Sequence, residues 1–500
     1  MKRFVFLSVV LSSALKGLAS LQSNKTELTP EKLEAVITQE GLKRNLFELD
    51  SIGQQNNGNR AYGTTGYAAS SDYVLSQVKD SKNDDGFFTT WTQTFNHTYE
   101  ETRNISVTGP DGEDVPVLSL MYNNATPLPG GVTGELAALP VDDVRGSGCF
   151  EDQWTSVNVT GKLALVKRGT CAISDKLKLA KTRGALGVIL FHNTNSTPNA
   201  ATLGAENIGL NAPVGLISLQ IGESWRSRIS ANETLTATLL VDSIFEPRST
   251  WNVFVETAEG DENNVIMLGA HLDSVQAGPG INDDGSGVTA QIEIIKALRG
   301  FRGIKNKIRF AFWGAEEAGL VGSLFYTSSL TSSEADKIRF YYNYDMIGSI
   351  EPVYGIYAGD NPGDKVGAQL LLDYLVAKGK PAYFGSFGTG SDYVGFLELG
   401  IPSSGIHTGG GVPADPCYHL VCDTYDNINW GALEVNTKAA ARAAAVLALD
   451  VSNVPPRNVT SVNPASGRMV RELFQEALWE GVKVEAASAH TCALETKRVV

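Results

Sequence analysis

Apolar residues recur at helical spacing early in the chain, at Leu33, Val36, Ile37, Leu42, Leu46 and Leu49, behind the helix-start pair Thr29-Pro30. This spacing predicts a helix over 28–49, and a second is expected over 66–78. From 115 to about 242 the pattern changes to short apolar runs, at 163–166, 188–191 and 216–219, separated by Gly, Asn and Thr. Such runs predict a separate, β-rich unit. From residue 265 onward, strand patterns (265–270, 308–313, 340–344, 404–407) alternate with helical ones (288–298, 368–375, and an alanine-rich stretch over 436–449). That alternation implies an α/β fold: a doubly wound, mostly parallel (mixed) sheet with helices on both faces. In such sheets ligands bind at the carboxyl ends of the strands.

Composition narrows the class. The chain has 500 residues, 42% hydrophobic and 19% charged, with 51 glycines. It is long enough for two or more domains and reads as globular and loop-rich rather than disordered or fibrous. A formal net charge of -14 excludes a nucleic-acid partner, since that binding depends on Lys and Arg neutralising phosphates. Lys2 and Arg3 precede an apolar stretch over 4–15 and small residues over 17–20. This order predicts a secretory signal over 1–20, cleaved near Ala19 or Ser20 and too short to span a bilayer. A secreted, extracellular protein without a membrane span is expected.

Glycosylation and cysteine usage agree with export. Asn24, Asn96, Asn104, Asn124, Asn158, Asn195, Asn232 and Asn458 each head an Asn-x-Ser/Thr sequon, and none falls between about 245 and 450. The cysteines are Cys149, Cys171, Cys417, Cys422 and Cys492. In an oxidising compartment the simplest pairing is Cys149 with Cys171 and Cys417 with Cys422, leaving Cys492 over.

Four segments carry candidate chemistry. In the first, Gly269-Ala270-His271-Leu272-Asp273 ends a strand and a glycine-rich loop then presents Asp283. Histidine and carboxylate together suit zinc, and Asp273 is placed to fix the imidazole tautomer from behind. In the second, Trp313-Gly314-Ala315-Glu316-Glu317 sets two acids after a strand, so that one can bind a metal while the other faces a substrate. In the third, Tyr344-Asp345 ends another strand in an acid. In the fourth, Tyr418 and His419 lie in a short loop that a Cys417–Cys422 disulfide would clamp. Each has an ordinary explanation alone: a turn, a helix cap, a solvated helix start or a loop histidine. Their common placement after strands of one sheet does not. His192 lacks a partner pattern and is read as structural; His407, near the pocket in sequence, is also read as structural.

In that order of motifs the sequence resembles the co-catalytic di-zinc aminopeptidases, in particular secreted fungal enzymes of the leucine aminopeptidase 2 type. The run from Gly161 to Cys171, followed by Gly184-Ala185-Leu186-Gly187-Val188-Ile189-Leu190, resembles the protease-associated domain that such enzymes carry as an insert. The resemblance implies two zinc ions, with His271 and Asp345 on one, Glu317 and His419 on the other, and Asp283 between them. It implies Glu316 as general base, Tyr418 steadying the oxyanion and Asp273 behind the first histidine. The domains would be a signal at 1–20, a candidate propeptide and N-terminal peptidase segment at 21–114, and the protease-associated domain at 115–242. The di-zinc peptidase domain would follow at 243–450, with a tail of unassigned role at 451–500. The substrates would be peptides with a free N-terminus, preferably bearing a large apolar residue such as leucine, and the enzyme a monomer. One departure stands out: bacterial members have Arg before a late Ser-Asp, whereas this chain has Thr389-Gly390-Ser391-Asp392, which leaves the grip on the substrate amine open. A carboxypeptidase on the same scaffold and a catalytically silent, receptor-like homologue are the alternatives.

Overall fold

The computed structural model describes residues 25–79, 86–195 and 201–458. The expected signal, the sequon at Asn24 and the tail beyond residue 458, with Cys492, lie outside them. The chain forms two compact units, one made of residues up to Phe95 and from Thr250 onward, the other of Asn96–Ser249.

The 96–249 unit is built on parallel pairing of Val132–Ala138 with Leu163–Lys167, then Gly187–Phe191, then Val214–Ile217. Helices Ile173–Thr182 and Leu219–Ser230 connect and follow these strands. Leu165, Ile189, Phe191, Ile217 and Trp225 share its core. The apolar run expected as a strand over 216–219 divides in two, because the Ser218 hydroxyl accepts the N–H of Ile221 and starts a helix at Leu219. Cys149 and Cys171 are bonded in this unit, and Cys417 and Cys422 in the other. The 96–249 unit is wider than the 115–242 stretch because it also takes in parts of two long strands, Phe88–Thr108 and Thr236–Thr257. Their interleaved Thr, Asn and Glu conceal them from a search for apolar runs.

In the larger unit the elements that place the site are α1 (Gln39–Gln55), α2 (Thr65–Val78), β1 (Thr236–Thr257, from Thr250 on) and β2 (Asp261–His271). They continue with α3 (Gly285–Leu298), β3 (Asn306–Trp313), α4 (Val321–Ser329), β4 (Ile338–Tyr344) and β5 (Gly355–Tyr357). The last are α5 (Pro362–Ala377), β6 (Tyr383–Gly385), β7 (Ser403–His407) and α6 (Trp430–Leu449). The sheet runs β6-β5-β7-β4-β2-β3-β1. Its centre is parallel, while β5–β7 and β3–β1 are antiparallel, so the sheet is mixed as expected.

Central strands read as continuous apolar runs because both faces are covered. Ile266, Leu268 and Ala270 of β2 share one core with Leu46 of α1, Val288 of α3 and Ala440 of α6, while Met267 joins Trp313, Leu324, Tyr341 and Phe396 on the other face. The single helix expected over 28–49 is two, Pro30–Ala35 and α1, because the Thr38 hydroxyl caps a new start by accepting the N–H of Gly41. Both belong to the peptidase-side core: Leu33, Leu42, Leu46 and Leu49 are fully buried there. Among the described residues no helix is long and apolar enough to cross a membrane.

Candidate metal centre

Register brings the chemistry to one edge. His271, the last residue of β2, pairs with Trp313, the last of β3, and Asn343 of β4 pairs with Gly269. Asp345, two residues past Asn343, is therefore level with His271, and Glu316 and Glu317 begin just beyond Trp313. Close packing beneath the site requires Gly269, where a Cβ would fall 2.1 Å from the Tyr341 hydroxyl and 2.5 Å from Trp313 Nε1.

The side chains converge in two groups that share one acid: His271, Asp283 and Asp345, and Asp283, Glu317 and His419. Asp283 Oδ1 lies 3.0 Å from His271 Nε2, and its Oδ2 lies 3.2 Å from His419 Nε2. His419 Nε2 is also 3.1 Å from Glu317 Oε2, and His271 Nε2 is 3.7 Å from Asp345 Oδ1. Glu316 Oε2 stands 3.9 Å from His271 Nε2. All five expected ligands and Glu316 are thus together. Tyr418 stacks on His419 with ring centroids 3.8 Å apart. His407 is beside the cluster but turns its Nδ1 to the Asp345 carbonyl at 3.3 Å, in keeping with a structural role.

Asp273 acts differently from the expectation. His271 Nδ1 meets the Asp273 backbone carbonyl at 3.0 Å, while the carboxylate is 4.0 Å away. The carboxylate instead accepts the backbone N–H groups of Glu316 and Glu317, at 3.1 and 3.3 Å. Two amides at the turn after β3 offer it more than the single imidazole N–H, which the carbonyl already satisfies. Asp273 therefore fixes the Glu316-Glu317 turn and, through its main chain, the tautomer of His271. A carbonyl only accepts, so Nδ1 carries the proton and Nε2 is left to face a cation.

Several groups that sequence reasoning passed over complete the frame. Asp284, fully buried, accepts the N–H groups of His271, Gly287 and Met346. Asp423 accepts those of Asn282 and Asp283, at 2.8 and 3.0 Å, and Asp415 accepts from the Asn282 amide at 2.6 Å. Ser391 donates to Asp345 Oδ2 at 2.6 Å and accepts from the Asn343 amide, whose oxygen is held by Tyr341, itself bonded to Trp313. The adjacency of Asp284 to Asp283 and of Asp423 to Cys422 was the available signal. Three non-glycine residues at or beside the expected site residues have left-handed backbone: Ala315 (φ 58), Met346 (φ 55) and His419 (φ 59). Such strain is characteristic of sites held by their surroundings.

Electrostatics fit a metal. Burial, reinforced by Asp392, Glu317 and Asp345, pushes the Glu316 carboxyl well above the usual carboxylate range despite His271 nearby. Burial pushes Asp392 up to about 8. Asp283 goes the other way: against its burial, the His271 and His419 imidazoles, when protonated, hold it below the usual range. Glu317 Oε1 and His419 Nδ1 are buried without a hydrogen-bond partner among the described residues. Carboxylates this close repel one another, and cations among them remove that cost. The oxygen and nitrogen donor set is one that zinc accepts.

Comparison with known proteins agrees with this architecture. The model for peptidase family M28 matches residues 252–448, and the PA domain model matches 132–225. The protein named probable leucine aminopeptidase 2 of Aspergillus fumigatus is 36% identical over 430 residues, covering 81% of this chain and 82% of its own. The solved aminopeptidase from Aneurinibacillus sp. strain AM-1 superposes with a TM-score of 0.70 at 23% identity, over 87% of this chain and 98% of that one. BSAP, a zinc aminopeptidase from Bacillus subtilis, gives 0.63 at 23%, over 82% and 95%. At that identity the two structures speak for the fold.

Proposed function

Because this chain belongs to peptidase family M28, we propose that it is a zinc aminopeptidase that removes N-terminal residues, above all large apolar ones such as leucine, from peptides outside the cell. Two zinc ions would be held by His271 and Asp345, by Glu317 and His419, and by Asp283 in common. The observation that carries this reading is the division of Asp283, with one oxygen turned to each histidine. All ligands come from one chain, which suits a monomer.

Zinc, when bound, supplies a Lewis acid and lowers the pKa of water. The protein's own groups do the rest. Glu316, buried with its carboxylate 3.9 Å from His271 Nε2, takes a proton from the attacking water and later gives it to the leaving amine. Tyr418, stacked on His419, donates its hydroxyl to the carbonyl oxygen as negative charge develops. The likeness to a relative named leucine aminopeptidase 2 supports an exopeptidase acting on a free N-terminus. Export is supported by the N-terminal signal pattern, the two disulfides, and the exposed sequon residues Asn96, Asn104, Asn158, Asn195 and Asn232. Asn124 is less available, since its amide donates to the Asn211 carbonyl and accepts from Gly209.

The test is Glu316→Gln assayed on leucyl-p-nitroanilide with metal analysis alongside. Turnover should fall about 10²- to 10⁴-fold while zinc content stays unchanged; wild-type turnover would refute the role. Product analysis on a free and an N-acetylated peptide separates this reading from a carboxypeptidase, which would cleave both.

A further inference from the structure

We propose that Arg60 is a positioning residue of the metal centre, holding the loop between His271 and Asp283 in its ligand-bearing shape; this rests on the zinc-binding reading of those residues. Arg60 lies in the turn between α1 and α2, far from the site in sequence, and is completely buried. Every contact it makes with the loop is specific. Its Nε donates to the Pro279 carbonyl at 2.7 Å, Nη1 to that of Leu272 at 2.5 Å and Nη2 to that of Gly280 at 2.6 Å. Its backbone N–H donates to Ser274 Oγ at 2.9 Å, and Ser274 Oγ in turn donates to the Gly278 carbonyl. One side chain thus ties the first residue after His271 to the turn just before Asp283.

That turn has little freedom of its own. Gly280 is in the left-handed region (φ 61), and a Cβ there would fall 2.2 Å from the Asp283 carbonyl. The carbonyls are neutral, so the buried positive charge is balanced at longer range, by Asp273, Asp423, Asp284 and Asp283. A planar guanidinium can reach three carbonyls in fixed directions, which an ammonium on a lysine stem cannot reproduce. Two effects are therefore built into one residue. Its geometry preorganises His271 and Asp283, which strengthens metal binding, and its charge repels a cation, which weakens it.

The two are separable in the full-length protein by titrating the chelator-treated chain with zinc, comparing wild type with Arg60→Lys and Arg60→Met, with circular dichroism to establish that each is folded. If geometry dominates, both variants bind zinc more weakly, by about 10- to 100-fold, the range usual for groups that orient metal ligands. Unchanged affinity in both, or tighter binding in Arg60→Met, overturns the proposal. If Arg60→Met does not fold, Arg60→Lys decides. An Arg60→Lys chain that fails to fold even with zinc counts against the proposal, because Arg60 would then serve the core rather than the metal loop. Wild-type protein that binds no zinc refutes the underlying metal reading instead.

Discussion

The hydroxyl of Ser391 is the last link of a buried chain from Trp313 through Tyr341 and Asn343 to Asp345. A serine can donate to one partner and accept from another, which neither alanine nor a carboxylate can do in that place. In Ser391→Ala, Asp345 Oδ2 loses its donor and the Asn343 amide its acceptor, both in the interior. Leaving such groups unpaired costs about 1–3 kcal/mol, and a metal ligand released from its partner loses about 10-fold or more in affinity. The variant should therefore unfold at lower denaturant concentration and give up zinc at lower chelator concentration than wild type. Zinc retention equal to wild type would show that Asp345 is oriented by other means.

At the scale of elements, the loop from Asp415 to Asp423 shows how the proposed ligand His419 is held without regular structure. Cys417 and Cys422 are bonded five positions apart around Tyr418 and His419, and Asp415 and Asp423 fasten the loop's two ends to Asn282 and Asp283. Closing so short a loop stabilises by about 2 kcal/mol. Replacing both cysteines by serine should cost about that much and lower turnover more than zinc content, because the Asp423 anchor on Asp283 survives while Tyr418, assigned to the developing oxyanion, loses its clamp. Thermal melts and metal analysis of the purified variant check both parts. This loop, like the ends of β2, β3 and β4, was legible in sequence: buried parallel strands are apolar throughout, so the first polar residue after each run marks the site. Arg60 was not legible. It ends a run of Asn, Gln and Gly that reads as a solvated turn, and only tertiary packing of α1 and α2 buries it. The break at Thr38 was missed because the apolar spacing of Leu33, Ile37 and Leu42 continues across it. For Asp273 the sequence gives a distance along the chain but no direction, and the backbone amides of the next strand's turn prevailed over the nearer imidazole.

At the scale of the whole molecule, the question is where the mature chain begins. A removable propeptide must leave a stable remainder, yet residues from Thr26 onward are woven into the peptidase-side unit. Thr26 and Glu27 pair with Phe301 and Arg302, Leu33 shares a core with α3 and α6, and α1 buries Leu42, Leu46 and Leu49 against the sheet. Fully burying one leucine is worth about 2 kcal/mol, so losing α1 alone exceeds much of a typical domain's net stability of about 5–15 kcal/mol. Gly53 of α1 also packs within a Cβ's reach of Pro279, on the same loop that Arg60 holds. Cleavage anywhere between 39 and 60 would therefore expose apolar surface and loosen the metal loop together. The active protein should start before Thr26, as N-terminal sequencing or intact mass will read directly. A chain expressed from residue 61 onward should be insoluble or bind no zinc. An active mature form beginning after Arg60 would contradict both this conclusion and the positioning role assigned to that residue.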